Sequence, residues 1–231
     1  MNSDGRAGKL VEGLAALEAR PSRRNEVTRD LRAAVISGQM RTGVVYSAPA
    51  LASQFGVSPT PVREAMLNLS KEGLVEIVRN KGFRVVEPSE EELDDILELR
   101  MLLEVPMVTK LAAMGVSSAD LVELDKLADE TVRHAENRDI TGHVTADIDF
   151  HLALLALTDN SQIVDVVRVL RAKSRLFGLD SPAKAERLLA SSREHRQLVA
   201  LLRARDTVGT QDLMGRHISA VRELWGRDSE S

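Results

Sequence analysis

The chain is 231 residues long, 43% hydrophobic, 29% charged and 3% aromatic, and it has no cysteine. The lack of cysteine excludes a disulfide-stapled scaffold and any thiolate metal site. No apolar run approaches the ~20 residues of a membrane span, so no membrane partner is expected. Residues 1–24 hold no uninterrupted apolar segment of the export type, and the expected compartment is the cytoplasm.

The net charge of -4 is unevenly spread. Residues 1–88 carry 13 Lys+Arg against 9 Asp+Glu, whereas residues 89–231 carry 18 against 26. A basic first part and an acidic second part suggest a division of labour, with phosphate met by the first.

Residues 1–22 read as a loosely ordered arm: Leu10, Leu14 and Leu17 have helical spacing, but Gly5, Gly8, Gly13 and Pro21 interrupt it. From Asn25 to Ser37 the apolar positions Val27, Leu31, Ala34 and Val35 mark an amphipathic helix that Gly38 ends. A short helix follows over Ala48–Phe55, with Ser47 as N-cap and Pro49 in the first turn. After the tight turn Gly56-Val57, Ser58 caps a third helix that begins at Pro59 and runs to Lys71. The β-prone runs 74–79 and 83–86 flank Asn80-Lys81-Gly82 and predict a hairpin. Two short helices joined through a glycine turn form a helix-turn-helix, and a hairpin directly after it is a wing. The wing tip, Arg79-Asn80-Lys81, is basic, which suits phosphate or minor-groove contact.

Pro88 marks a boundary, and Ser89-Glu90-Glu91-Glu92 is a capping box. Beyond it helical stretches fall at 90–114, 118–137, 140–158, 161–178, 182–204 and 207–226, with Pro106 expected to kink the first. Short loops between long amphipathic helices imply an antiparallel bundle. The expected fold is therefore mainly α. A winged helix-turn-helix occupies 23–88 after the arm 1–22, and an all-helical domain occupies 89–231.

The string Gly56-Val57-Ser58-Pro59-Thr60-Pro61-Val62-Arg63-Glu64-Ala65 and the following Glu72-Gly73-Leu74-Val75 resemble the GntR family of bacterial transcription regulators. The helical second part resembles the ligand-sensing FCD domain of the FadR-like subgroup, so the likeness spans roughly residues 24–227. A recognition helix places its N-terminal residues against base edges, which here are Ser58, Thr60 and Arg63. Arg63 has the reach to span G O6/N7, the alternative being an ion pair within the domain. Arg79 and Lys81 are the expected wing contacts. Pro49 and Pro59 stand where family members often carry Arg, which removes two charge-assisted donors and sets this chain apart from the family's usual operator.

The chain has five histidines. Asp147 and His151 lie four apart on one predicted helix and share a face, while His195 and His217 fall on two further helices. One carboxylate and three imidazoles suit a divalent transition metal, with zinc as first choice and nickel, manganese or iron as alternatives. The resemblance points to the same four residues: the subgroup's metal-binding version carries D-x-x-x-H, then E-H-R, then a final His. Here these stand as Asp147…His151, Glu194-His195-Arg196 and His217. Asp149, two residues from His151, faces another side. His134 and His143 match no ligand position and are expected on the surface or in a local hydrogen bond.

An open metal position invites a small carboxylate effector with a cation opposite. Arg100, in the pattern Arg100-x-x-x-Glu104 of the subgroup's first sensing helix, is the effector candidate, the alternative being a surface pair with Glu104. Asn160, at a helix break, is either a second effector residue or a plain cap. The implied function is a ligand-responsive repressor that binds palindromic double-stranded DNA as a homodimer, and not an enzyme. Two alternatives stay open: the same regulator with a purely structural metal, and a helical metalloenzyme, which lacks a placed general base.

Overall fold

The computed structural model describes residues 23–174 and 182–225. The expected arm at 1–22, and the part of the expected fourth bundle helix beyond residue 174, lie outside the described residues.

Helix α1 (Arg23–Ile36) turns Val27, Leu31, Val35 and Ile36 into the core at helical spacing. The two-residue strand β1 (Val45–Tyr46) leads into α2 (Ala48–Phe55). Ser47 caps α2 by accepting a hydrogen bond from the Ala50 N–H at 3.3 Å, and Gly56 ends it in the left-handed conformation, φ 62°. Helix α3 (Pro59–Lys71) buries Val62, Ala65, Met66 and Leu69 and leaves Ser58, Thr60 and Arg63 exposed. Strands β2 (Val75–Val78) and β3 (Gly82–Val85) pair antiparallel. β1 adds to the other edge of β3, so the sheet order is β1-β3-β2. The sequence reading missed β1, because two residues between turn signals carry no periodicity. Its approach requires Gly82, where a Cβ would sit 2.2 Å from the Tyr46 carbonyl oxygen.

The second part is six helices: α4 (Glu90–Met114), α5 (Ser118–Glu136), α6 (Ile140–Ala156), α7 (Ser161–Lys173), α8 (Pro182–Ala204) and α9 (Thr207–Trp225). The capping box at Ser89 is formed in both directions, with Glu92 N–H donating to Ser89 Oγ and Ser89 N–H to the Glu92 carboxylate. Helix α4 continues through Pro106 as one unbroken element. The bundle core is built from Leu111, Leu124, Phe150, Leu154, Leu198 and Met214.

The two parts are welded rather than tethered. Val144 on α6 and Ala172 on α7 are buried within the core of the winged-helix part. Gln39 donates to Thr141 Oγ1 at 2.7 Å, and Thr141 Oγ1 lies 3.4 Å from Ser37 Oγ. Helix α1 therefore rests directly on α6. That spacing predicts a disulfide in a Ser37→Cys/Thr141→Cys double variant. Since the native chain has no cysteine, this bridge is the only one that can form within the variant. Oxidation should raise the unfolding free energy by about 2–4 kcal/mol, read by denaturant titration with and without reductant. Failure of the pair to oxidise would place the two helices further apart.

Candidate functional site

Each of the four predicted metal ligands comes from a core-facing position: Asp147 and His151 from α6, His195 from α8 and His217 from α9. His151, His195 and His217 are 1%, 1% and 4% exposed. His151 Nε2 lies 3.1 Å from His195 Nε2 and 3.2 Å from His217 Nε2. Asp147 Oδ1 lies 3.4 Å from His195 Nε2 and 3.7 Å from His151 Nε2. Bonds of about 2.1 Å to one ion, at angles between a right angle and tetrahedral, put donor atoms about 3.0–3.4 Å apart. Three of these four separations fall within that range, the Asp147–His151 distance is slightly longer, and all four donor atoms lie within 4.8 Å of one another, so the group could hold a metal ion.

The tautomers make the same argument. Thr131 Oγ1 donates to the Ala128 carbonyl, so at 2.9 Å from His195 Nδ1 it accepts that ring's N–H. Glu194 accepts the N–H of His217 Nδ1 at 2.8 Å. Both rings thus turn a lone pair, not a proton, toward the cluster at Nε2. A neutral His151 can satisfy one of these lone pairs at most, and its own Nδ1 is fully enclosed with no hydrogen-bond partner among the described residues. A cation at the convergence point resolves the conflict. Phe150, stacked on the His195 ring with centroids 4.5 Å apart, holds that ring in place.

Burial pushes the His195 imidazole down to about 4, with the His217 ring adding to the effect, against the Asp147 carboxylate, which would accept from the protonated ring. Burial and the Arg171 guanidinium hold His151 well below its usual value. For Asp147 burial opposes the charge, but His151, His195 and Arg171 outweigh it and keep the carboxyl well below the usual range. Asp147, His151 and His195 are thus deprotonated near neutral pH, as metal ligation requires.

Beside the cluster lies a small cavity, walled by Asp147 and His217, by Arg100 and Arg171, and by His143. Ile36 of α1 also lines it, so the wall includes a residue of the winged-helix part. Arg100 pairs with Glu104 at 2.7 Å and donates to Ser174 Oγ at 3.0 Å. Unlike the surface pair weighed above, both side chains are almost fully buried. Arg171 bonds Glu104 as well and reaches Asp147 at 3.2 Å. Burial opposes the Glu104 charge, and Arg171 and Arg100 hold its carboxyl below the usual value.

Asn160 does not reach the cavity. It is exposed and caps α7, its side chain accepting from the Ile163 N–H at 3.2 Å. Asp149 is also exposed, on a different side of α6 from the cluster. His134 forms a local bond to Asp139 at 2.7 Å. His143, expected at the surface or in a local bond, is instead 2% exposed and part of the cavity wall. Thr131, Arg171 and His143 were missed because each reads as an ordinary helix residue. Glu194 stood in the E-H-R motif, adjacent to a ligand, and that was its signal.

On the opposite part of the molecule Ser58, Thr60, Arg63, Arg79 and Lys81 are all exposed. Arg63 and Lys81 line one groove between α3 and the wing, together with Pro49. Among the described residues Arg63 makes no ion pair, and its side chain is exposed in the groove. Arg32, by contrast, is tied to Glu72 at 3.0 Å.

Residues 23–85 match the family model described as bacterial regulatory proteins of the gntR family, and residues 95–220 match the FCD domain. The chain belongs to the GntR family, with an FCD ligand-sensing domain. The Nta operon transcriptional regulator of Aminobacter aminovorans is 30% identical over 85% of this chain and 97% of its own length. The transcriptional repressor GlaR of Escherichia coli is 26% identical over 82% and 90%. The solved structure of E. coli McbR/YncC superposes with a TM-score of 0.75 at 25% identity, covering 90% of this chain and all of that one. These relatives regulate transcription, and the family is one of transcription regulators and not of enzymes. Among the described residues no helix is long and apolar enough to cross a membrane.

The buried imidazoles carry a pH prediction. His195 and His151 bind a proton less readily in the folded chain than at the ordinary value of 6.5. As pH falls through that value the unfolded chain takes up more protons than the folded one, so stability drops. The metal-free protein should lose stability steadily from about pH 6.5 toward pH 4, and His195→Ala should flatten the slope, both read by denaturant midpoints. A midpoint that does not change over this window would show that the rings are not buried as neutral groups.

Proposed function

We propose that the chain is a ligand-responsive repressor that holds a divalent transition metal, with zinc the best fit, through Asp147, His151, His195 and His217. A small carboxylate effector binds in the adjoining cavity and closes the coordination shell, balanced by Arg100 and Arg171. The observation that carries this reading is the convergence of three imidazole Nε2 atoms and one carboxylate on the wall of a cavity that also holds two buried guanidiniums. A purely structural metal is disfavoured because Asp147 and His217 face that cavity instead of being sealed away from it. When bound, the metal supplies a Lewis-acidic position for a ligand oxygen.

The division of labour follows the chain: a DNA-reading unit over 23–88, preceded by the arm 1–22, and a sensing unit over 89–231. Ser58, Thr60 and Arg63 read the major groove, and Arg79 and Lys81 hold the backbone from the wing. The protein acts as a homodimer on a palindromic operator in the cytoplasm. Leu99 and Leu102 on α4 and Val166 on α7 are 47%, 63% and 49% exposed, on two helices that pack together, and such a face suits a second copy. Release from DNA follows because α1 both belongs to the DNA-reading unit and lends Ile36 to the cavity. An occupant that favours one placement of α1 shifts the DNA-binding equilibrium by its differential affinity. The repressor name of GlaR supports this sign.

The test is metal content of the wild type and His195→Ala, each titrated onto genomic duplexes that the wild type selects, at two salt concentrations. The wild type should carry about one ion per chain and the variant far less. Duplex affinity should fall with salt, and Arg63→Ala should lose about 1–3 kcal/mol and relax the sequence preference. A wild type that binds duplex but retains no metal would overturn the metal reading. One that binds no duplex would overturn the DNA-binding assignment of these residues.

A further inference from the structure

Among the buried titratable residues described, His143 is the one that neither the metal cluster nor the arginine network uses. Its ring is 2% exposed. Nδ1 sits 3.2 Å from the Thr131 carbonyl oxygen, which can only accept, so Nδ1 carries the proton. Ser192 Oγ, 3.4 Å from the same nitrogen, gives its own hydrogen to the Leu188 carbonyl and so faces Nδ1 as a second acceptor. Burial holds the imidazole below its usual value, which keeps the ring neutral. Nε2 therefore presents a lone pair.

That lone pair has no partner among the described residues. The one fully enclosed side-chain nitrogen or oxygen without a partner is His151 Nδ1, so His143 Nε2 keeps access to the cavity that the ring lines. The other acceptors on the wall already have partners. Asp147 takes the Arg171 guanidinium and faces the imidazoles, and Ser174 accepts from Arg100 and shares its one hydrogen between the Leu170 and Arg171 carbonyls. Ser191 Oγ lies 3.4 Å from His217 Nδ1. A buried acceptor left unpaired is costly, and a site built around one rejects ligands that cannot donate to it.

We propose that His143 is a specificity residue that requires a neutral hydrogen-bond donor on the effector, so that the occupant is a hydroxylated carboxylate whose O–H donates to Nε2. Two guanidiniums on the same wall favour the carboxylate and disfavour an ammonium donor, and a hydroxyl is the smallest neutral donor that fits the small cavity. This inference rests on the carboxylate-effector reading above and deepens it.

The experiment compares zinc-loaded full-length wild type and His143→Phe by calorimetric titration with acetate, glycolate, 3-hydroxypropionate and the methyl ethers of the last two. Metal content, measured first, shows whether each protein is assembled. In the wild type at least one hydroxy acid should bind about tenfold more tightly than its methyl ether, and in His143→Phe the gap should shrink to about twofold or less. Acetate affinity should be similar in both. A hydroxyl preference that survives in His143→Phe comes from chelation of the metal and overturns the role of His143. Equal binding of hydroxy acids and ethers by the wild type overturns it too, while leaving the carboxylate reading intact. Metal-loaded protein that binds no carboxylate overturns the carboxylate reading and this inference with it. If His143→Phe does not load metal, His143→Asn takes its place, and the comparison of hydroxy acid with ether in the wild type still decides.

Discussion

Three imidazoles crowded against one carboxylate in the centre of a helical bundle are an arrangement that side chains alone do not fully satisfy. Thr131 and Glu194 fix protons on the outer nitrogens of His195 and His217, and the inner nitrogens are left as lone pairs about 3 Å from the next ring. Burial drives His151 and His195 toward neutrality and so raises their capacity as ligands while lowering the stability of the metal-free fold at acid pH. The helices α5, α6, α8 and α9 are held in register by this constellation, because each contributes a ligand or the group that orients one. The Arg100–Glu104–Arg171 network sits beside it and reaches Asp147 through Arg171, so the clustered carboxylate and the neighbouring cavity share one set of charges.

The same helices form the seat of the winged-helix part. Val144 lies two turns before His151 and three residues before Asp147, yet it is buried in the core of the winged-helix part. Ala172, next to Arg171, is buried there too. A ligand and a neighbour of the arginine clamp are thus each within a turn of the interface with α1, and Ile36 closes the wall of the cavity itself. Any rearrangement at the cluster has a short, packed route to the DNA-reading face. Interfaces of this kind respond by repacking between discrete arrangements, since close-packed cores do not deform continuously.

Much of this was legible in the sequence, for local reasons. Capping residues and proline placement set the ends of α2, α3 and α4 correctly, because Ser47, Pro59 and Ser89 act within a single turn. That Asp147, His151, His195 and His217 come together was legible because they carry rare residue types at a spacing that motif chemistry constrains, and because the chain has few histidines. What lay beyond reach depends on long-range packing. Arg171 reads as a basic residue near a helix end, and only the fold buries it against Glu104. His143 looks like a solvated helix residue until α5 and α8 close over its ring. Asn160 carried both meanings in the sequence, and its hydrogen bond to Ile163 assigns it to the cap. β1 was invisible because its two residues gain their strand character only from the exposed edge of β3.

The central claim is that one metal ion joins four named side chains across three helices. X-ray absorption at the zinc edge of the loaded protein tests it most directly. The account predicts a first shell of about 2.0–2.1 Å made of nitrogen and oxygen with no sulfur, with multiple-scattering features from three imidazoles, falling to two in His217→Ala. A first shell without imidazole scattering, or a spectrum unchanged by His217→Ala, would contradict it.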